Sequence, residues 1–283
     1  MHLSTLPAAS PVSAMPAVRC IPLTRPLHWL RLAWRDLVRC GWTSLAHGLA
    51  LALAGAVIVA ITYNRFWLLA GAISGFLVVA PVLATSLYAL SRALERGETA
   101  DARVVLKTWL NWQNNHFNKW GNDYWCLVQF GALLALAGTG WVLTSAALIT
   151  LLAPLPINNP VDFVQHVMLA DRGFLFELWL VLGGVLAGPI FASTVITIPL
   201  LLDRRLGLLQ AVLTSWRAVL ANPLPMAFWG ALIMALTLLG MATALMGLVL
   251  VMPLLGHASW HAYRDLVDAS GLPPRDAPDQ EAS

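Results

Sequence analysis

Apolar segments in this chain come in pairs, and the second member of each pair carries a proline followed by small or hydroxylated residues. The three proline-centred stretches are Ala80-Pro81-Val82-Leu83-Ala84-Thr85-Ser86, Gly188-Pro189-Ile190-Phe191-Ala192-Ser193-Thr194 and Met252-Pro253-Leu254-Leu255-Gly256-His257-Ala258-Ser259. Apolar runs lie near 44–62, 67–90, 126–153, 174–202 and 224–263. A helix needs roughly 20 residues to cross a hydrocarbon core of about 30 Å. The last run is too long for one crossing and divides near Gly240 to Ala242. The pattern predicts an all-α, six-span transmembrane bundle of three pseudo-repeated helical hairpins, at about 44–90, 126–202 and 224–263. It predicts one membrane domain over 26–268, with disordered cytoplasmic tails at 1–25 and 269–283.

A short amphipathic stretch carrying Trp precedes each hairpin. Val105-Leu106-Lys107-Thr108-Trp109 and Val212-Leu213-Thr214-Ser215-Trp216 match closely, and Trp34-Arg35 pairs with Trp216-Arg217. Before the first span, Arg31, Arg35 and Arg39 recur every four residues on one helical face, with Leu30, Trp34 and Leu37 opposite. Such a pattern predicts a helix lying in the membrane interface. The prolines predict kinks, since each removes a helix hydrogen bond, and Thr85, Ser86, Ser193 and Thr194 are placed to satisfy freed backbone groups. Gly71-x-x-x-Gly75 and Gly184-x-x-x-Gly188 predict close helix approach. Three kinked helices at Pro81, Pro189 and Pro253 around a pseudo-threefold axis frame either a packed bundle or a central cavity.

Composition agrees with lipid as the solvent: 59% of residues are hydrophobic and 11% charged, against about 45–50% and about 25% in soluble domains. Every Lys and Arg except Arg65 and Arg172 falls on one side of the six-span topology. The positive-inside rule then places both termini in the cytoplasm. The charges are spaced around helix ends and form no contiguous patch, so nucleic acid is not an expected partner. Expected partners are the lipid bilayer and another membrane protein or a second copy of the chain. Cys20, Cys40 and Cys126 all map to the cytoplasmic side, where thiols stay reduced.

Candidate chemistry is sparse. His47, His257 and His261 fall at similar depth near the cytoplasmic face, and His257 and His261 lie one turn apart on one helical face. Together they are a candidate polar cluster. They offer three nitrogen ligands for a metal, or they hydrogen-bond to neighbouring helices. No carboxylate is expected to join them from within the bilayer; Glu177, the acid inside a predicted span, lies near the opposite surface. No catalytic residues are assigned, since the chain carries no Walker loop, Gly-x-Ser-x-Gly elbow or His-Glu-x-x-His motif. The stretch 109–125 interleaves Trp with Asn and predicts an interfacial loop.

Three segments carry a family resemblance: Leu87-Tyr88-Ala89-Leu90-Ser91-Arg92-Ala93-Leu94-Glu95-Arg96-Gly97-Glu98, Pro199-Leu200-Leu201-Leu202-Asp203-Arg204, and Pro253-Leu254-Leu255-Gly256-His257-Ala258-Ser259-Trp260-His261-Ala262-Tyr263-Arg264. They resemble a bacterial family of predicted integral membrane proteins of unknown function, whose members often carry the label cytochrome c oxidase subunit I. The likeness covers roughly residues 27–268 and implies a multi-pass inner-membrane protein with no catalytic residues to carry over. The oxidase label fits the residues poorly. A haem-copper core of that family takes six intramembrane imidazoles in about twelve spans, and His257 with His261 on one face cannot clasp a haem from both sides. No cofactor is therefore expected, with haem or metal kept as the lesser alternative. The functional expectation is a non-enzymatic scaffold, accessory or regulatory membrane subunit. The alternatives are a small-molecule permease with a cavity between the kinked helices, and a haem- or metal-binding respiratory component.

Overall fold

Pro26 stands in the first turn of helix α1 (Arg25–Cys40), where a missing N–H costs nothing, and Gly41 ends the helix at φ 52° with its N–H on the Leu37 carbonyl at 2.9 Å. The computed structural model describes residues 15–62, 68–69, 71–72, 75–76, 82–114, 125–153, 155–157, 159–169 and 174–276. After the Gly41 corner come α2 (Trp42–Thr62), α3 (Thr85–Glu95), α4 (Ala102–Asn114) and α5 (Trp125–Leu152). A helical turn at Pro160–Phe163 runs into a π turn at Val164–Met168. Then follow α6 (Leu175–Thr194), α7 (Thr197–Asp203), α8 (Leu208–Ala221), α9 (Pro223–Ala242) and α10 (Leu248–Leu266). The only described strands are two residues each: β1 (Ala17–Val18) pairs antiparallel with β2 (Val267–Asp268).

The fold is all-α, and among the described residues four stretches are long and apolar enough to cross a membrane: Trp42–Thr62, Val128–Leu152, Leu175–Asp203 and Pro223–Ala242. Their exposed residues are large and apolar, among them Ile61, Leu136, Leu151, Val181, Val185 and Leu239. Such surfaces require lipid as solvent. The expected second span at 67–90 lies partly outside the described residues, Pro81 included; α3 forms its far end. The residues expected to form a sixth span lie in helix α10, broken from α9 at Thr243–Gly247, and α10 is not among these four. Its second half carries His257, Trp260, His261, Arg264 and Asp265, and it packs along α1, α2, α3 and α9.

Two glycines explain how α10 fits so closely. A Cβ on Gly48 would fall 2.0 Å from the Val249 carbonyl oxygen, so the backbones of α2 and α10 touch there. That carbonyl is the one Pro253 cannot serve, because it lies four residues earlier and proline has no N–H. A Cβ on Gly256 would fall 2.5 Å from Leu87 Cδ1 of α3. Between these contacts the main core gathers Trp29, Leu87, Leu201, Trp229, Trp260 and Tyr263, with Trp29 edge-on to Trp229 at 5.6 Å.

Segments assigned to the tails by the sequence are docked on the helices where they are described. Residues 15–24 run beside 266–268, with the Arg19 N–H on the Leu266 carbonyl and Arg19 paired with Asp268 at 3.0 Å. The Asn222 amide accepts from the Ile21 N–H and donates to the Arg19 carbonyl. Residues 272–276 lie over the end of α7, where the Arg275 N–H bonds the Asp203 carbonyl at 2.9 Å.

The small-residue motifs divide. Gly71 and Gly75 do face α5 closely, at Val142 and Gly138, whereas Gly184 and Gly188 have nothing within contact distance among the described residues. The expected α1 pattern also shifts by a fraction of a turn. Its buried face is Pro26, Trp29, Ala33, Asp36, Leu37 and Cys40, while Trp34 is half exposed.

Candidate functional site

Four helices bring polar side chains to one point near the end of the bundle where most of the described arginines gather. Asp36 is the single acid on the buried face of α1. Ser44 opens α2 just past the Gly41 corner, Ser91 lies in the last turns of α3, and His257 and His261 stand one turn apart on α10. Ser44, Ser91 and His257 have essentially no exposed surface.

These groups form one directed chain. The Ser91 hydroxyl donates to Asp36 Oδ2 at 2.7 Å, which leaves its oxygen to accept from His257 Nδ1, also at 2.7 Å. With its proton on Nδ1, the imidazole accepts at Nε2 from the Ser44 hydroxyl at 2.8 Å. His261 Nε2 donates to the same Asp36 oxygen at 2.9 Å. Every polar atom named is thereby partnered inside the protein, which is what makes burial of a carboxylate and an imidazole tolerable. Burial opposes ionisation of Asp36, but the hydrogen bonds from His261 and Ser91 outweigh it and hold the carboxyl below the usual range.

The sequence singled out His47, His257 and His261. The structure brings His257 and His261 to Asp36, while His47 bonds the Thr43 carbonyl of its own helix through Nδ1 at 2.9 Å. Both ring nitrogens of His257 are committed, so it binds a metal or haem only by breaking one of those bonds. Among the described residues no three His, Cys, Asp or Glu are grouped to hold a metal ion. The expectation that no carboxylate reaches the histidines looked only inside the spans, and Asp36 arrives from the preceding helix. Its signal was available: it is the lone acid in register with Trp29, Ala33 and Cys40, about 100° around the helix from Arg35 at the centre of the arginine face. Burial pushes the neighbouring Cys40 thiol up to about 11, which makes it a protonated packing group.

Beside this chain lies a second, more ionic one that the sequence did not reveal. Asp203, buried at the end of α7, accepts from Tyr263 Oη at 2.8 Å and from Arg204 Nε at 3.0 Å, with Arg96 and Arg264 at 3.7 and 3.9 Å. Glu95 accepts from Trp260 Nε1 and from Arg264. Asp276 pairs with Arg92 and Arg96. At the far end of α1, Asp265 accepts from Trp29 Nε1 at 2.6 Å and from both Arg25 nitrogens.

Of the proline positions, Pro253 is buried in α10, and Pro189 borders a groove of about 560 Å³ between α5, α6 and α8. The groove is lined by Phe130, Leu134, Ile190 and Val212 among others, with Ser193 the one hydroxyl. Ser193 accepts from Trp216 Nε1 at 2.9 Å. Thr85 and Thr194 return their hydroxyls to the carbonyls of Val82 and Phe191, whereas the buried Ser86 hydroxyl has no partner among the described residues.

Long apolar helices with lipid-compatible surfaces, joined to a polar cap at one end, define a multi-pass integral membrane protein. Residues 68–203 match the model of a family described as "Predicted integral membrane protein (DUF2189)". Over those residues the chain is similar to this family, whose function is unknown. The matched span contains Ser91, Glu95 and Asp203, while Asp36, Ser44, His257 and His261 lie outside it. No curated protein and no solved structure matches the chain.

Proposed function

We propose that this protein is a six-span scaffold, accessory or regulatory subunit of the bacterial inner membrane, non-enzymatic, with both termini cytoplasmic. The single observation that carries this reading is the closure of the buried chain from Ser44 through His257 and Ser91 to Asp36. It joins a hydroxyl to an imidazole as a nucleophile and base are joined, yet both groups are sealed from solvent and leave no room for a substrate. Such a chain fixes which face of each helix meets which neighbour, a role that buried polar groups fill through their directionality. A permease needs a polar path, and the groove at Pro189 is apolar except for Ser193.

Affinity purification from native membranes in mild detergent, after brief chemical cross-linking, tests the role. Recovery of one membrane protein in fixed ratio supports a subunit; repeated recovery of the chain alone overturns it. Cysteines placed at Gln113 and Asn158 test the topology, because six spans put them on opposite sides of the membrane. Labelling of both from the same side overturns six spans.

A further inference from the structure

Helix α1 presents three stripes, and only one of them is buried against the described residues. Successive residues turn by about 100°. The buried stripe holds Trp29, Ala33, Asp36, Leu37 and Cys40. Leu27, Trp34 and Val38 fall within about 40° of one another on a second stripe, at 50%, 50% and 62% exposure, and Trp42, the first residue of α2 past the Gly41 corner, is 73% exposed. Arg31, Arg35 and Arg39 form the third stripe along its edge, about 6 Å apart along the axis.

All three of these arginines are exposed, and none has a carboxylate or other hydrogen-bond partner among the described residues. That separates them from Arg19, Arg25, Arg92, Arg96, Arg204 and Arg264, each of which holds a carboxylate. The one acid on α1, Asp36, is turned inward, so the outer face carries positive charge alone. The helix cannot roll to hide it, because Trp29 and Arg25 are tied to Asp265, and Asp36 is tied to Ser91 and His261.

We infer that this face of α1 binds the phosphates of anionic phospholipids in the adjoining leaflet. The row of guanidiniums matches phosphate geometry. The neighbouring indoles and aliphatic groups need an apolar phase beside that phosphate, with Trp34 and Trp42 at headgroup level. A free anion or an acidic peptide in water would leave that second stripe unsolvated. The inference rests on the proposed interfacial position of α1.

The test uses the full chain in nanodiscs of phosphatidylcholine with increasing phosphatidylglycerol, and lipid retained after purification is counted by mass spectrometry. The wild type is expected to enrich phosphatidylglycerol around itself and to melt at higher temperature as its fraction rises. The R31Q/R35Q/R39Q variant is expected to bind it about a hundredfold more weakly, while melting like the wild type in pure phosphatidylcholine because no internal partner is lost. Equal enrichment by wild type and variant overturns the inference. So does an equal rise in melting temperature with inorganic phosphate or glycerol phosphate, which would mark a small-anion site. A spin label on a cysteine placed at Val38 in a C20S/C40S/C126S background separates this from the underlying topology. A label reached by lipid-dissolved oxygen, together with no phosphatidylglycerol preference, sinks the headgroup inference alone. A label reached only by water-soluble quencher removes the interfacial position as well.

Discussion

Two regions of this molecule solve the problem of holding helices together by opposite means. The unit made of α1, α2, α3 and α10 is joined by directed hydrogen bonds, by backbones in contact at Gly48 and by the Leu87 side chain seated on Gly256. The pair α5 and α6 meets through side chains: Trp141 packs on Trp179 and over Gly183, and Trp179 Nε1 donates to Ser145 at 2.8 Å. Around that pair the surface is apolar and exposed, with a small core of Ile149, Ile157, Val167 and Leu175 at one end. In a membrane, apolar contact between helices offers little that lipid does not, so specificity comes from close packing and polar pairs. The first region has both in quantity, which explains how α10, shorter on apolar residues than a free-standing span, is held.

The comparison is broken most directly at the glycines. Gly48→Leu should cost about 3 kcal/mol or more, because the new side chain meets the Val249 carbonyl and backbone cannot yield cheaply. Gly188→Leu, facing open space, should stay within about 0.5 kcal/mol. Unfolding by SDS in mixed micelles reads both, and equal losses would show that the contrast between the regions is false.

Next in size is the carboxylate. Asp36→Ala should cost about 3 kcal/mol, since it strands His261 and Ser91 in the core. Ser145→Ala should cost about 1 kcal/mol, the worth of one neutral hydrogen bond. The same titration measures both, and a smaller loss at Asp36 than at Ser145 would refute the polar chain as the organising contact.

The smallest effect is in acid. Asp36 is held below the ordinary carboxylate value only in the folded state, so the folded protein binds fewer protons between that lowered value and about 3.9. Its contribution is therefore complete above about pH 4 and is lost as pH falls through the folded value. Asp265 and Asp276 are lowered too and add slope of the same sign. A flatter acid limb for Asp36→Asn than for the wild type, in melting temperature against pH, is the expected result; parallel limbs would place the dependence elsewhere.

How far these features were legible follows from their range in sequence. The helical runs at 44–62, 126–153, 174–202 and 224–242 were readable because lipid selects composition over some twenty residues at a time. Partners were not, since Ser44 to His257 and Asp36 to His261 are contacts across more than two hundred residues. Repetition misled in places. Trp34 and Trp216 hold matching positions in their stretches, yet Trp216 reaches Ser193 whereas Trp34 faces outward. The two Gly-x-x-x-Gly motifs read alike, and among the described residues only the first meets a helix. Periodicity locates a face but not what lies across from it.

The pairing of β1 with β2, and of α1 with α10, has a consequence for how the protein is made. During translation α1 and α2 leave the ribosome some two hundred residues before the helix that completes them. At about 5–20 residues per second this is a wait on the order of ten seconds or more. For that interval Ser44 and Asp36 lack their partners His257 and His261. A nascent chain arrested before Leu248 should therefore be degraded faster than one arrested after Asp268, and the last thirty or so residues would act as the signal that assembly is finished.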